Sequence, residues 1–151
     1  MELPISEIEP LFEALGSLDG NARAVQVAPD TERLIIQPFK FGQKFTWNKV
    51  KNLAILKKKK KLIEAMRVEL RKKHNEGVDA MPDEKTDAGR KARVALDLEW
   101  KQFLETKEDF PGLLIMPVAD LNLFDPKDNP TGNLIPATIL EAVSVLFDAI
   151  P

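Results

Sequence analysis

Between Trp47 and His74 the chain carries neither glycine nor proline, and the first helix breaker beyond is Gly77. An uninterrupted stretch of that length predicts one long helix. Thr46 is suited to cap its start through the hydroxyl, with Phe45 and Val50 at the positions of a hydrophobic staple. Its apolar residues do not read as one stripe. Trp47, Val50 and Ala54 share a face, whereas Ile55, Leu62, Ile63, Met66 and Leu70 lie roughly opposite at about 100° per residue. Such a helix is expected to need two partners, a sheet region at its start and another helix along its far half.

That second helix is expected over residues 87–107. Ala92, Leu96, Trp100 and Phe103 recur on one side, with Val94 and Leu98 on another. Residues 75–86 contain Gly77, Pro82 and four carboxylates and read as a loop. Residues 46–107 therefore read as an antiparallel helical hairpin with loop 75–86 at its distal tip, roughly 30–40 Å long at 1.5 Å per residue.

The flanks mix periods. Ser6 and Glu9 have capping-box spacing ahead of Ile8, Phe12 and Leu15, and Gly16 is a natural stop, although Pro10 argues for a later start. The turn dipeptides Asp19-Gly20 and Pro29-Asp30 set off Ala24–Val27, which is expected to pair with Leu34–Gln37 as a hairpin ending at Pro38. Leu113–Val118 is a short apolar run that reads as a strand, extended by Asp120–Phe124, and Asp125–Asn133 reads as loop. Pro136 then opens a last helix, in which Ile139, Leu140, Val143, Leu146, Phe147 and Ile150 make either core or a contact surface. The expected fold class is α+β: a long antiparallel helical hairpin packed on a small, mainly antiparallel sheet, with short helices near both termini, in a single domain over residues 1–151.

Charge is segregated along this framework. Residues 40–73 hold 13 basic and two acidic residues, a net +11, while the rest holds 9 basic and 22 acidic residues, a net −13. Fields of one sign concentrate partners of the other. The basic segment can therefore meet nucleic acid, an acidic protein surface, or this protein's own acidic parts, and a pI of 5.5 favours the last. Lys57–Lys61 are consecutive and point all around a helix, which reads as a solvated ring with stems lying over their neighbours. Base-specific readout is not expected, because it favours Arg, Asn and Gln. The candidate interaction surface is Lys57, Lys58, Lys60, Lys61, Arg67 and Arg71, joined by Leu140 and Phe147 from the last helix. Trp47 and Trp100 read as large anchors of the two long helices.

Reactive chemistry is sparse. The absence of cysteine excludes thiolate nucleophiles, iron–sulfur clusters and thiolate zinc sites. The single histidine, His74, follows Lys72 and Lys73 and reads as a helix C-terminal residue favoured by the macrodipole. Ser6, Ser17 and Ser144 lie in no nucleophile-elbow pattern. Asp79, Asp83, Glu84 and Asp87 form one acidic cluster, and Asp125, Asp128 and Asn129 another. In the second, Lys127 and Pro136 stand at the third and twelfth places, where a calcium loop needs oxygen ligands. No glycine pattern cradles a phosphate. No catalytic, cofactor or metal site is expected, and no enzyme. No stretch approaches the roughly 18–20 uncharged residues of a membrane span. Met1-Glu2-Leu3-Pro4 opens without a basic or apolar leader, so secretion is not expected.

The segment Lys40-Phe-Gly-Gln-Lys-Phe-Thr-Trp-Asn-Lys-Val-Lys-Asn-Leu53, followed by Glu64–Lys73 with its Arg67-Val-Glu-Leu70, resembles small uncharacterised proteins encoded by tailed bacteriophages and prophages. Phe103-Leu104, Leu113–Val118 and Leu134-Ile-Pro-Ala-Thr-Ile-Leu140 occupy corresponding places, so the likeness covers roughly residues 40–150. Two departures are the inserted Gly20–Arg33 region and the missing Gly-rich acidic turn after the first long helix. The resemblance implies a viral origin and a non-enzymatic role, in host cytoplasm during expression or in the virion, and supplies no catalytic residues. The expected function is a phage structural or assembly protein acting by protein–protein contact in a homo- or hetero-oligomer. A phage-encoded inhibitor or binder of a host protein is the alternative. Non-specific nucleic-acid binding through residues 40–73 ranks below both.

Overall fold

The computed structural model describes residues 1–148, the side chains of residues 22 and 23 excepted. Ile150 of the expected last helix lies outside the described residues. In chain order the elements are β1 (Glu2–Pro4), a 3-10 turn (Ile5–Glu7), α1 (Ile8–Gly16), β2 (Gly20–Ala28), β3 (Thr31–Pro38), α2 (Gln43–His74), α3 (Asp87–Glu105), β4 (Lys107–Asp109), a 3-10 turn (Val118–Leu121), α4 (Ala137–Val143) and a final 3-10 turn (Ser144–Leu146). The fold is α+β, with a long helix, antiparallel strands and short helices near both termini. The strands form two separate two-stranded ladders, β1 with β4 and β2 with β3. The chain divides into two compact units, Met1–Glu9 with Ile55–Pro111 and Pro10–Ala54 with Gly112–Pro151.

α2 starts earlier than its cap signal suggested. Thr46 lies inside the helix, where both its amide and its hydroxyl donate to the Gly42 carbonyl, at 3.1 and 3.2 Å. The expected staple does not form, since Phe45 is 1% exposed and Val50 49%. Phe45 turns instead into the interior, where its ring meets Phe41 at 4.3 Å and Phe147 at 6.2 Å. The buried face is also one stripe rather than two. Phe45, Lys49, Asn52, Leu56, Ile63 and Leu70 are buried, with half-buried Lys59 and Arg67 filling the remaining helical spacings. Polar residues inside the stripe disguised it.

In the first unit the contacts between α2 and α3 run in opposite chain directions. Lys73 and His74 reach Glu99, Arg67 lies over the Trp100 ring at 4.8 Å, and Lys59 reaches Glu108 just beyond α3. α2 stops where Gly77 donates its amide to the Lys72 carbonyl (2.8 Å), with Glu76 and Gly77 both at positive φ. α3 begins at Thr86, whose hydroxyl accepts from the Gly89 amide at 3.0 Å. A side chain at Gly89 would stand 1.8 Å from the Asp83 carbonyl oxygen, so that turn demands glycine. Leu96 is buried on α3, Trp100 and Phe103 are half-buried, and Val94 and Leu98 stay exposed. β1 and β4 pair from Glu2↔Asp109 to Pro4↔Lys107, and the Ile5 amide continues the ladder to the Thr106 carbonyl at 2.9 Å.

In the second unit β2 and β3 form the expected hairpin, longer than its apolar centre, from Gly20↔Pro38 to Ala28↔Thr31. The expected strand over Leu113–Val118 is absent. Its backbone is instead satisfied by a side chain: Asn52, 0% exposed, donates to the Leu114 carbonyl (2.9 Å) and accepts from the Leu114 amide (2.8 Å). Met116 then exchanges hydrogen bonds with the Leu146 carbonyl and the Asp148 amide. One amide side chain thus stands in for a neighbouring strand. The last helix is shorter than its apolar pattern. It gives way to a 3-10 turn at Ser144, whose hydroxyl donates to the Glu141 carbonyl at 2.7 Å, and Phe147 is extended.

A second amide organises the loop after residue 120. Asn133, 6% exposed, accepts from the Lys40 amide (2.7 Å) and donates to the carbonyls of Lys40 and Leu121 (2.9 Å each). Lys49 is the third buried polar group, with its ammonium on the Leu18 carbonyl (3.2 Å) and the Asp19 carboxylate (2.7 Å).

Candidate interaction surface

The six basic residues singled out in the sequence separate by environment. Lys57, Lys58 and Lys61 are exposed, whereas Lys60 is half-buried and engaged. Lys59, the middle member of the run, turns inward: its ammonium lies 2.6 Å from Glu108 and over the Phe110 ring at 5.2 Å. Arg67 is held by Glu64 (2.6 Å), Glu9 (3.8 Å) and the Trp100 face, and Arg71 by Asp79 (2.8 Å) and Glu64 (3.7 Å). Both guanidinium groups are occupied within the first unit. Leu140 is half-buried, and Phe147 at 7% exposure stacks on Phe45, so it belongs to the interior of its unit rather than to a surface.

The carboxylates are committed as well. Asp79 meets Arg71, Glu84 meets Arg93 and Asp87 meets Arg90. Asp125 accepts from the amides of Lys127 and Asp128 at 2.7 and 2.9 Å, an Asx turn whose N–H groups hold its carboxyl below the ordinary value, Asp128 first. Glu99 is held low chiefly by the hydrogen bond from Lys73, and Asp109 by that from the Met1 ammonium. Among the described residues no group of three or more His, Asp or Glu is placed to hold a metal ion. No described helix is long and apolar enough to cross a membrane.

Exposed apolar surface gathers on the β2–β3 hairpin, which the sequence reading had not marked as a contact. All eight residues of β3 are exposed, with Leu34 at 76% and Ile36 at 65%. Strand alternation puts Glu32, Leu34 and Ile36 on one face, and the register sets Ala24 opposite Leu34 and Gln26 opposite Glu32. The signal was available: Leu34-Ile-Ile36 is apolar at consecutive positions, so whichever face turned inward, the other would remain greasy. Trp47, at 60% exposure, is likewise an outward residue rather than an anchor, whereas Trp100 is half-buried against Phe103 at 5.4 Å.

Family models, curated proteins and solved structures were compared with the chain, and none matches it.

Proposed function

We propose that this chain is a non-enzymatic assembly protein of a bacteriophage that works by protein–protein contact, first of all with further copies of itself. The β2–β3 hairpin carries the reading. An isolated pair of strands is marginal in water, and this one leaves Leu34 and Ile36 uncovered. Its apolar face also has relief suited to its own copy: the Leu34 ridge on β3 runs beside Ala24 on β2. A two-fold axis would seat each ridge over the other copy's small residue, the self-complementarity an isologous interface needs. The resemblance to phage proteins supplies the biological setting.

Sedimentation velocity over a wide concentration range tests this. The native chain is expected to associate, and the double variant Leu34→Ser/Ile36→Ser to remain monomeric with an unchanged circular dichroism spectrum. A native chain that stays monomeric at every concentration refutes self-association. If it instead captures one host protein in stoichiometric amount, the hairpin serves a host-directed binder.

A further inference from the structure

α2 is one continuous helix, so the spacing along its outer face follows from helical geometry alone. Opposite the buried stripe, Lys44, Trp47, Lys51, Ala54, Lys58, Lys61 and Ala65 recur every three or four residues, and each is exposed. This line holds four lysines and no carboxylate. Its charged part, Lys44 to Lys61, spans about 26 Å at 1.5 Å per residue. Five consecutive lysines cannot by themselves concentrate on one side of a helix. Concentration arises differently, because Lys59 turns inward to Glu108 while Lys58 and Lys61 fall into line with Lys44 and Lys51, which lie outside the run.

We infer that this outer face of α2 binds single-stranded nucleic acid without sequence preference. Lysines on flexible stems, spaced along a straight element and lacking shaped pockets, suit a repeating backbone charge. Trp47 supplies the second component of a single-strand site, a flat ring on which a base can stack. That ring is 60% exposed, carries the Lys51 ammonium 5.3 Å from its centroid, and borders a concavity of about 610 Å3 along Gln43, Lys44, Thr46, Trp47 and Val50. An acidic polypeptide would use the lysines but has no need of an open aromatic platform beside them. The inference is independent of self-association through the hairpin.

Fluorescence anisotropy with a labelled oligothymidylate, titrated with salt, provides the test. Binding at low salt is expected, weakening with a log–log slope of about −3 for four neutralised phosphates on a single strand. Replacing Lys44, Lys51, Lys58 and Lys61 by Ala should weaken binding at least about 30-fold at low salt. The same loss of charge at exposed Lys91, Lys101, Lys107 and Lys127 should change it less than about threefold. Trp47→Ala should cost about tenfold. The native salt titration needs no variant, so the inference can be tested even if the quadruple replacement unfolds α2. No binding at low salt, a flat salt dependence, or equal losses from the two quadruple variants would overturn it. Displacement of the oligonucleotide by polyglutamate at equal charge would assign the face to an acidic polypeptide instead.

Discussion

The two compact units hold themselves together with different chemistry. In the first, the polar contacts joining α2 to α3 and β4 are made by long charged side chains: Lys59 to Glu108, Lys73 to Glu99, and Arg67 over Trp100. Their heads remain partly in water, where ion pairs contribute little and salt screens them. In the second, the buried polar contacts are made by the amides of Asn52 and Asn133 together with the Lys49 ammonium. Asn52 and Asn133 satisfy backbone groups that no strand or helix reaches, and a hydrogen bond in that setting is costly to leave unmade. Among these polar contacts, partly exposed charge pairs prevail in the first unit, whereas in the second two neutral amides and one buried ammonium satisfy main-chain groups.

The largest effect that would sharpen this contrast is expected from Asn133→Ala or Asn52→Ala. Each strands buried or half-buried main-chain groups, so each should destabilise by about 3 kcal/mol in urea unfolding. Hydrogen exchange should speed up most at the amides of Lys40 and Leu114, the groups these side chains accept from. A loss below about 1 kcal/mol would mean that water replaces the amides and that the contrast is false. A smaller effect is expected from Lys59→Met, about 1 kcal/mol at low salt, where the ammonium gives up Glu108 and the Phe110 face. That cost should shrink as salt is added, while the asparagine variants should cost the same at both ionic strengths.

The smallest effect is a pH dependence that divides along the same line. Glu99, Asp109 and Asp125 are all held below their ordinary values. A depressed carboxyl contributes stability above its unfolded value, and that contribution is lost as pH falls through the folded value. Thermal midpoints should therefore decline on acidification below the ordinary carboxylate range. Carboxyl titration by NMR should show added salt raising the apparent values of Glu99 and Asp109, whose partners are ammonium groups. Asp125, held by backbone amides, should barely respond. Equal salt responses at all three would remove the distinction.

Legibility in the sequence followed the same chemistry. The β2–β3 hairpin and α3 could be read because Gly, Pro and a regular apolar repeat each give a local signal, although the Thr86 cap itself went unmarked. α2 was found, but its packing face was not, since reading by hydropathy treats Lys49 and Asn52 as outward. Only their 4-3-4 spacing between Phe45 and Leu56 gives them away. Leu113–Val118 is apolar, yet whether such a run becomes a strand depends on what offers it hydrogen bonds, and at Leu114 that partner is a distant asparagine. Of the candidate surface, Lys57, Lys58 and Lys61 are exposed, while Phe147 is interior because its ring completes a stack begun by Phe45. Which lysine of five turns inward depends on Glu108, 49 residues beyond Lys59.

The clip that Asn52 places on residue 114 touches only peptide atoms. It is therefore blind to what hangs from that position: side chains there can drift from one variant to the next, while proline alone is barred for want of an N–H. Residue 52 has no such freedom, because aspartate would lack the donor and leucine would lack both functions. Mutational tolerance should thus be lopsided across this pair, with the asparagine that hydropathy would place in solvent being the immovable partner.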